Sequence, residues 1–367
     1  MDQTLLLALD EAVARIPVID AERQYWFIRT NGGAFYQNFL ETKSVGIGYN
    51  LVTLAAVNKA LADKSDSYGQ LQVAVFEKYK DENIGKATGL MWRFMVDMKP
   101  GDIVVMPSGG SNKLAFGEVT DGAPFEVDTP TSDDDAVYRK RRSVNWTLER
   151  DWFAIDSNVR GAFTAPQALT QITKYGDYLD REMYAIYTKG GETHVRLDIR
   201  TQGGIDGDDY FDMGHSLLSL CREFRKEAGI PEKGNKVEVR SNVQSPGLFE
   251  FITHAPAVAT FLASILVVGL FGGRVKIDSI GLNIGTDGLL KSVSEFMTDG
   301  KKRDLLEDLR KNLHSMDANL ASDLVLRLSG ASPSSPSAPP SVPPPPASLP
   351  PSIPPSLPPA TEPPTNS

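Results

Sequence analysis

Apolar positions recur with two different periods along the first part of the chain. Residues 3–16 carry Leu5, Leu6, Leu7 and Ala8, followed closely by Asp10 and Glu11. This is the pattern of an amphipathic helix. Ile16-Pro17 ends it, because the residue before a proline avoids the helical region. Tyr25-Trp26-Phe27-Ile28-Arg29 then reads as a strand, with aromatic and β-branched side chains suited to a pleated surface. It runs into Thr30-Asn31-Gly32-Gly33, where Asn-Gly and Gly-Gly supply the positive φ angles of a tight turn. Phe35, Tyr36 and Phe39 return to helical spacing, and Val45-Gly46-Ile47-Gly48-Tyr49 predicts a second short strand.

Three helical stretches follow. Leu51, Leu54, Ala55 and Leu61 share one face, and Leu71, Val75 and Tyr79 share another. Ile84 to Met98 carries an apolar stripe of Leu90, Met91, Phe94, Met95 and Met98, with Trp92 to one side. Core packing explains such a stripe without any cofactor. Pro100-Gly101 launches the strand Ile103 to Met106, Ser108 to Asn112 makes a flexible loop, and Leu114 to Val119 is its hairpin partner. An acidic loop, 129–135, runs into a basic-headed strand from Tyr138 to Trp146. Short strands with one helical insertion predict a small, partly open β-barrel over residues 1–160.

The texture changes near Ala165. Tyr184 to Tyr187 and His194 to Arg200 read as strands joined at Lys189-Gly190-Gly191, Gly214 to Ala228 as an amphipathic helix, and Val237 to Arg240 as a strand. A second α+β domain over 165–330 is expected. Ala255 to Gly273, about nineteen residues, carries no charge. That length suits either a membrane segment or a helix buried in a core; Pro256, the terminal glycines and the lack of a Trp/Tyr belt favour the core. Arg303 to Leu328 places Leu306, Leu309, Leu313, Met316, Leu320 and Leu324 at steps of three and four. A short coiled coil for self-association and a helix packed within one chain both show this spacing.

Composition adds little except at the end. The chain has 367 residues and 25 prolines, most of them after Ser332. Residues 331–367 have too few apolar groups to offset their ordering entropy, which predicts a disordered tail of polyproline character. A formal charge of −9 means that any nucleic-acid binding must come from a local patch. The single cysteine, Cys221, makes no intrachain disulfide, and the first residues lack the basic start and cleavage site of a signal peptide. A cytoplasmic location is expected, with membrane association through 255–273 as the alternative.

The first module resembles the PUA-like, EVE-type modules at the N-terminus of Mrr-like restriction endonucleases and related defence proteins. The resemblance covers residues 22–157. It rests on Trp26-Phe27-Ile28-Arg29 with Gly32-Gly33, on Gly46-Ile47-Gly48-Tyr49, on Trp92-Arg93-Phe94 through Met98-Lys99-Pro100-Gly101-Asp102 to Pro107, and on Phe116-Gly117-Glu118-Val119 with Arg141 to Trp146. The second piece more often ends in Trp in that family. The resemblance implies an aromatic-lined pocket for a nucleobase, often a modified one, which also suits the physics of holding an unstacked base. Trp26, Tyr49 and Trp146 are then candidate stacking walls, and Arg29, Asn31 and Ser108 the candidate polar edge. Arg139, Lys140, Arg141 and Arg142 are candidate phosphate ligands.

No motif for catalysis or a cofactor stands out. Mrr-like proteins pair such a module with a metal-dependent nuclease domain, which needs clustered carboxylates and a lysine. Asp206, Asp208 and Asp209 with Glu238 imitate this, but Arg240 stands where the lysine is expected. His194, His215, His254 and His314 lie in separate elements without ligand spacing. The leading expectation is a non-catalytic nucleic-acid sensor, acting through a second domain, in defence against foreign DNA. The alternatives are a metal-dependent nuclease with a degenerate site and a membrane-associated effector.

Overall fold

In the computed structural model, the strand Tyr25–Ile28 pairs in parallel with Ile103–Pro107 and antiparallel with Leu169–Gln171. Around it a seven-stranded sheet runs in the order Ser44–Ile47, Lys140–Asp151, Lys113–Val119, Ile103–Pro107, Tyr25–Ile28, Leu169–Gln171, with Phe125–Glu126 added against the long Lys140–Asp151 strand. The structure describes residues 3–320 except 81–82, 129–136, 202–203, 243–246, 272–274, 278–281 and 285–287, together with Leu324 and Leu328. The acidic loop 129–135 and the tail 331–367 therefore lie outside the described residues, which all belong to one compact unit, Met1–Pro333.

Both faces of this curled sheet are covered, which is why the central strands read as apolar runs instead of alternating. Trp26, Ile28, Val104 and Met106 face a core closed by the helices Tyr36–Glu41, Leu54–Ala62, Ser67–Lys78 and Ile84–Trp92. Tyr25, Phe27, Ile103, Val105, Leu114 and Phe116 face the opposite core, which is closed by Ile155, Val159, Phe163 and Leu179. The Ile84–Trp92 helix continues into a wider π-helical turn, Arg93–Asp97. A register shift between Phe116 and Gly117 bends the sheet. The mixed α+β character and the partly open curl agree with expectation.

The second sheet runs Val18–Ile19, Ile186–Lys189, Glu192–Ile199, Gly247–Thr253, Glu238–Asn242, and Ala318–Asn319 also pairs with Glu192–Ile199. Gly190 and Gly191, both at positive φ, make the expected turn between its strands. Its core takes the helices Gly207–Ala228, Pro256–Phe271, Leu289–Phe296 and Gly300–Ser315. It also takes Leu5, Leu9 and Ala12 of the first helix, Gln3–Val13. The N-terminal helix, counted with the first module in the sequence reading, thus packs in the second core.

The apolar stretch 255–273 takes the favoured of its two readings, and the helix expected over 303–328 is shorter than its spacing suggests. The 255–273 segment forms a 16-residue helix, Pro256–Phe271, buried nearly all round. No described helix is long and apolar enough to cross a membrane. Its hydroxyls are satisfied locally: Thr260 donates to the Pro256 carbonyl at 2.8 Å and Ser264 to the Thr260 carbonyl at 2.7 Å. Phe261 stacks on Phe224 at 4.1 Å. The helix expected over 303–328 stops at Ser315, where Asp317 turns to φ 46° and Ala318–Asn319 joins the sheet. Leu309 and Leu313 are fully buried in the second core, which is the within-chain packing expected as one of the two readings of this spacing.

Candidate nucleobase-binding rim

The three expected stacking walls pack into one core. Trp26 is 1 % exposed, and its Nε1 donates to Asp102 Oδ2 at 2.9 Å. Trp146 is half-buried; its Nε1 donates to the Phe39 carbonyl at 2.9 Å. Gly117 makes room for this indole, since a Cβ there would lie 2.6 Å from the ring. Tyr49, at φ 59°, sits edge-on to Tyr79 at 5.2 Å. These rings serve packing, and Trp26 offers no face to a ligand.

The expected phosphate ligands are also internal. Lys140 is fully buried and donates to the Tyr49 and Val52 carbonyls at 2.7 and 2.9 Å. Arg141 passes over Gly46, where a Cβ would meet its side chain at 2.8 Å, and bonds Tyr138, Ser44 and Asn38. Burial lowers its pKa to about 10. Arg142 donates to the Phe94 and Met95 carbonyls at 2.7 and 3.0 Å, satisfying the π-helical turn, and burial lowers its pKa too. Arg139 pairs with Glu126 at 3.6 Å. The basic run thus ties helix ends and loops to the closing strand and does not form a phosphate-binding surface. Long buried cations that satisfy carbonyls are a structural use that charge counting alone does not separate from a ligand patch.

The three polar-edge candidates fare differently: Arg29 and Asn31 are exposed and Ser108 is half-buried, and the two glycine loops that carry Asn31 and Ser108 touch to make a rim. Thr30 Oγ1 donates to the Pro107 carbonyl at 2.6 Å, fastening the end of one strand to the end of its neighbour. Gly33, at φ 101°, packs so close that a Cβ would lie 2.2 Å from Gly109 Cα. Only glycine fits there. Asn31 is exposed at φ 51°, and Ser108 lies across the contact with its Oγ accepting from the Lys113 amide at 2.9 Å. Arg29 is exposed and anchored through Nε to the Ala165 carbonyl at 2.7 Å.

The sequence reading missed one residue of this rim. The Trp152 amide donates to the Asn112 carbonyl at 2.8 Å, which seats the Trp152–Ala154 turn against the second glycine loop. Trp152 turns inward against Phe163 at 6.0 Å, while Phe153 is 84 % exposed. Arg160 holds the Phe153 carbonyl through Nη2 at 3.0 Å. In the sequence Phe153 is one of several apolar residues after a charged strand, so only its missing burial partner marks it.

The acidic stretch proposed for a metal has a local role. Asp206 caps the Gly207–Ala228 helix, accepting from the Asp208 and Asp209 amides at 2.9 and 3.4 Å. Among the described residues no three His, Cys, Asp or Glu side chains gather as metal ligands.

Residues 28–173 match a family described as a domain of unknown function, DUF8426. The matched segment contains the whole rim. No curated protein and no solved structure matches the chain.

Proposed function

We propose that the protein is a non-catalytic nucleic-acid sensor that receives an unstacked base at the glycine rim. Phe153 supplies the face on which the base stacks, and Arg29 and Asn31 read its edge. The observation that carries this reading is an aromatic ring left 84 % in solvent next to Trp152, whose amide is bonded to the second of two loops that their glycines let touch. Base–aromatic stacking tolerates any sequence and is worth about 1–3 kcal/mol per base. Exposed Lys113 begins the strand beside Ser108 and supplies a cation near the backbone. The resemblance to base-binding PUA-like modules supports the same class of ligand, with the contact moved from the buried tryptophans to the rim. The net charge of −9 fits a base-centred contact better than a long phosphate track.

Fluorescence anisotropy of the full chain with labelled single strands, and with duplexes carrying plain or modified cytosine, tests this. Binding is expected to weaken by about 1–3 kcal/mol in Phe153→Ala with no loss of thermal stability. Absence of binding to every oligonucleotide, or equal binding by the variant, overturns the proposal.

A further inference from the structure

A polar cleft of about 420 Å³ opens beside residues 156–158. Its walls include Asp156, Ser157 and Asn158 from that segment, Tyr178 and Arg181 from the Gly176–Met183 helix, and Arg240 from the strand Glu238–Asn242. The volume lies within the usual range of small-molecule sites, about 300–1,000 Å³. The lining is polar, which disfavours an apolar ligand.

The two arginines are arranged around one buried carboxylate. Arg240 is exposed and stands directly opposite Glu250 on the neighbouring strand. Arg181 donates through Nη1 to Glu250 Oε2 at 3.3 Å and through Nε to the Asp177 carbonyl at 3.2 Å, with its guanidinium over the Tyr178 ring at 4.5 Å. Glu250 is held from behind by His194 Nδ1 at 2.9 Å and the Tyr187 hydroxyl at 3.5 Å. His194 is itself stacked on Tyr187 at 4.6 Å. Burial pushes the Glu250 carboxyl up, but the His194 hydrogen bond and Arg181 outweigh this and hold it below the usual range. On the third strand of the row, Arg196 is already paired with Asp198 at 2.6 Å and Glu182 at 3.6 Å. Arg181 and Arg240 therefore both face Glu250, with the Asp177 carboxylate also near Arg181. Among the described residues neither Arg181 Nη2 nor Arg240 has a hydrogen-bond acceptor. Across the cleft, Asp156 Oδ1 is occupied by the amide and side chain of Asn158 at 2.9 and 3.0 Å.

We propose that this cleft binds a phosphate monoester on a hydroxylated carbon skeleton, a sugar phosphate or the phosphorylated end of a nucleotide. The planar guanidinium groups of Arg181 and Arg240 match phosphate oxygens, and Glu250 fixes Arg181 before the ligand arrives. Ser157, Asn158 and the free oxygen of Asp156 meet the hydroxyls. Tyr178 covers the apolar side. This site is independent of the glycine rim and of the reading given to it.

Calorimetric titration of the full chain with ribose 5-phosphate, ribose, inorganic phosphate and a 5′-phosphorylated oligonucleotide tests the proposal. Ribose 5-phosphate is expected to bind, ribose not, and inorganic phosphate more weakly than the monoester. Arg240→Gln is expected to weaken the monoester by roughly tenfold or more, without moving the thermal midpoint. Phe153→Ala is expected to leave monoester binding unchanged, which separates this cleft from the rim. If Phe153→Ala retains binding of the phosphorylated oligonucleotide and Arg240→Gln abolishes what remains, the source is a nucleic-acid end; otherwise it is a free sugar phosphate. No binding of ribose 5-phosphate, equal binding by Arg240→Gln, or inorganic phosphate binding as tightly as the monoester overturns the proposal.

Discussion

Trp26 and Asp102, 76 positions apart in sequence, meet through a 2.9 Å hydrogen bond inside the first core. The same carboxylate accepts from the Gln24 and Lys99 amides at 3.0 and 2.9 Å. One side chain thus closes three donors where two parallel strands begin. Asp102→Ala leaves all three without their acceptor and is expected to destabilise the fold by roughly 2–5 kcal/mol. Asp102→Asn keeps one acceptor oxygen, enough for Trp26 Nε1 and the Lys99 amide but not for the Gln24 amide, and is expected to cost less. Urea unfolding followed by tryptophan fluorescence measures both.

The basic run gives a contrasting expectation. Arg142→Met removes the donors to the Phe94 and Met95 carbonyls. It is expected to cost roughly 2–4 kcal/mol in stability. In a folded population, the salt dependence of oligonucleotide binding should stay as in the parent, because Arg142 is buried. A flatter salt slope would restore it as a phosphate ligand.

Cys221 is 1 % exposed, and burial pushes its thiol up to about 12. Little thiolate exists near neutral pH, and reagent has no access. Labelling by a thiol reagent is therefore expected only when the second core opens. Its rate against denaturant reports that core separately from the tryptophans, all of which lie in residues 26–152.

The Glu250 carboxyl is held low in the folded chain. Its contribution is therefore fully present above the unfolded carboxyl pKa, roughly 4.3, and is lost as pH falls through the lower folded value. Stability should drop more steeply for the parent than for Glu250→Gln between about pH 5 and pH 3. At neutral pH the variant should be the less stable protein, because Arg181 and His194 lose their shared anion. Urea midpoints across a pH series test this, and parallel curves would contradict it.

Local pattern carried most of the elements. Asn31, Gly32 and Gly33 announced a turn, and the turn is there with all three at positive φ. The stripe from Leu90 to Met98 announced packing, and its members are buried. What pattern does not carry is the use of a side chain once it arrives. Trp26 as a wall and Trp26 as a donor to Asp102 need the same residues in the same strand. Lys140, Arg141 and Arg142 look like a solvated face because most of their acceptors lie far away in sequence: backbone carbonyls 91 and 88 positions off for Lys140 and 48 and 47 off for Arg142, and the side-chain oxygens of Ser44 and Asn38, 97 and 103 positions off, for Arg141. Arg181 and Arg240 both face Glu250 only after the sheet has formed, and no spacing between residues 181 and 240 foretells it.

Val18–Ile19 pairs with Thr188–Lys189, so the second sheet takes strands made both before and after the first sheet. Leu5 and Leu9 are made well before the helices that cover them, Pro256–Phe271 and Leu289–Phe296. Between the two, the curled sheet enters at Tyr25–Ile28 and leaves at Leu169–Gln171 on adjacent strands, so its own pairings are complete before the second core has its partners. The sheet can therefore fold during synthesis as a closed loop. The Gln3–Val13 helix waits, its apolar face uncovered, until residues 256–296 have been made.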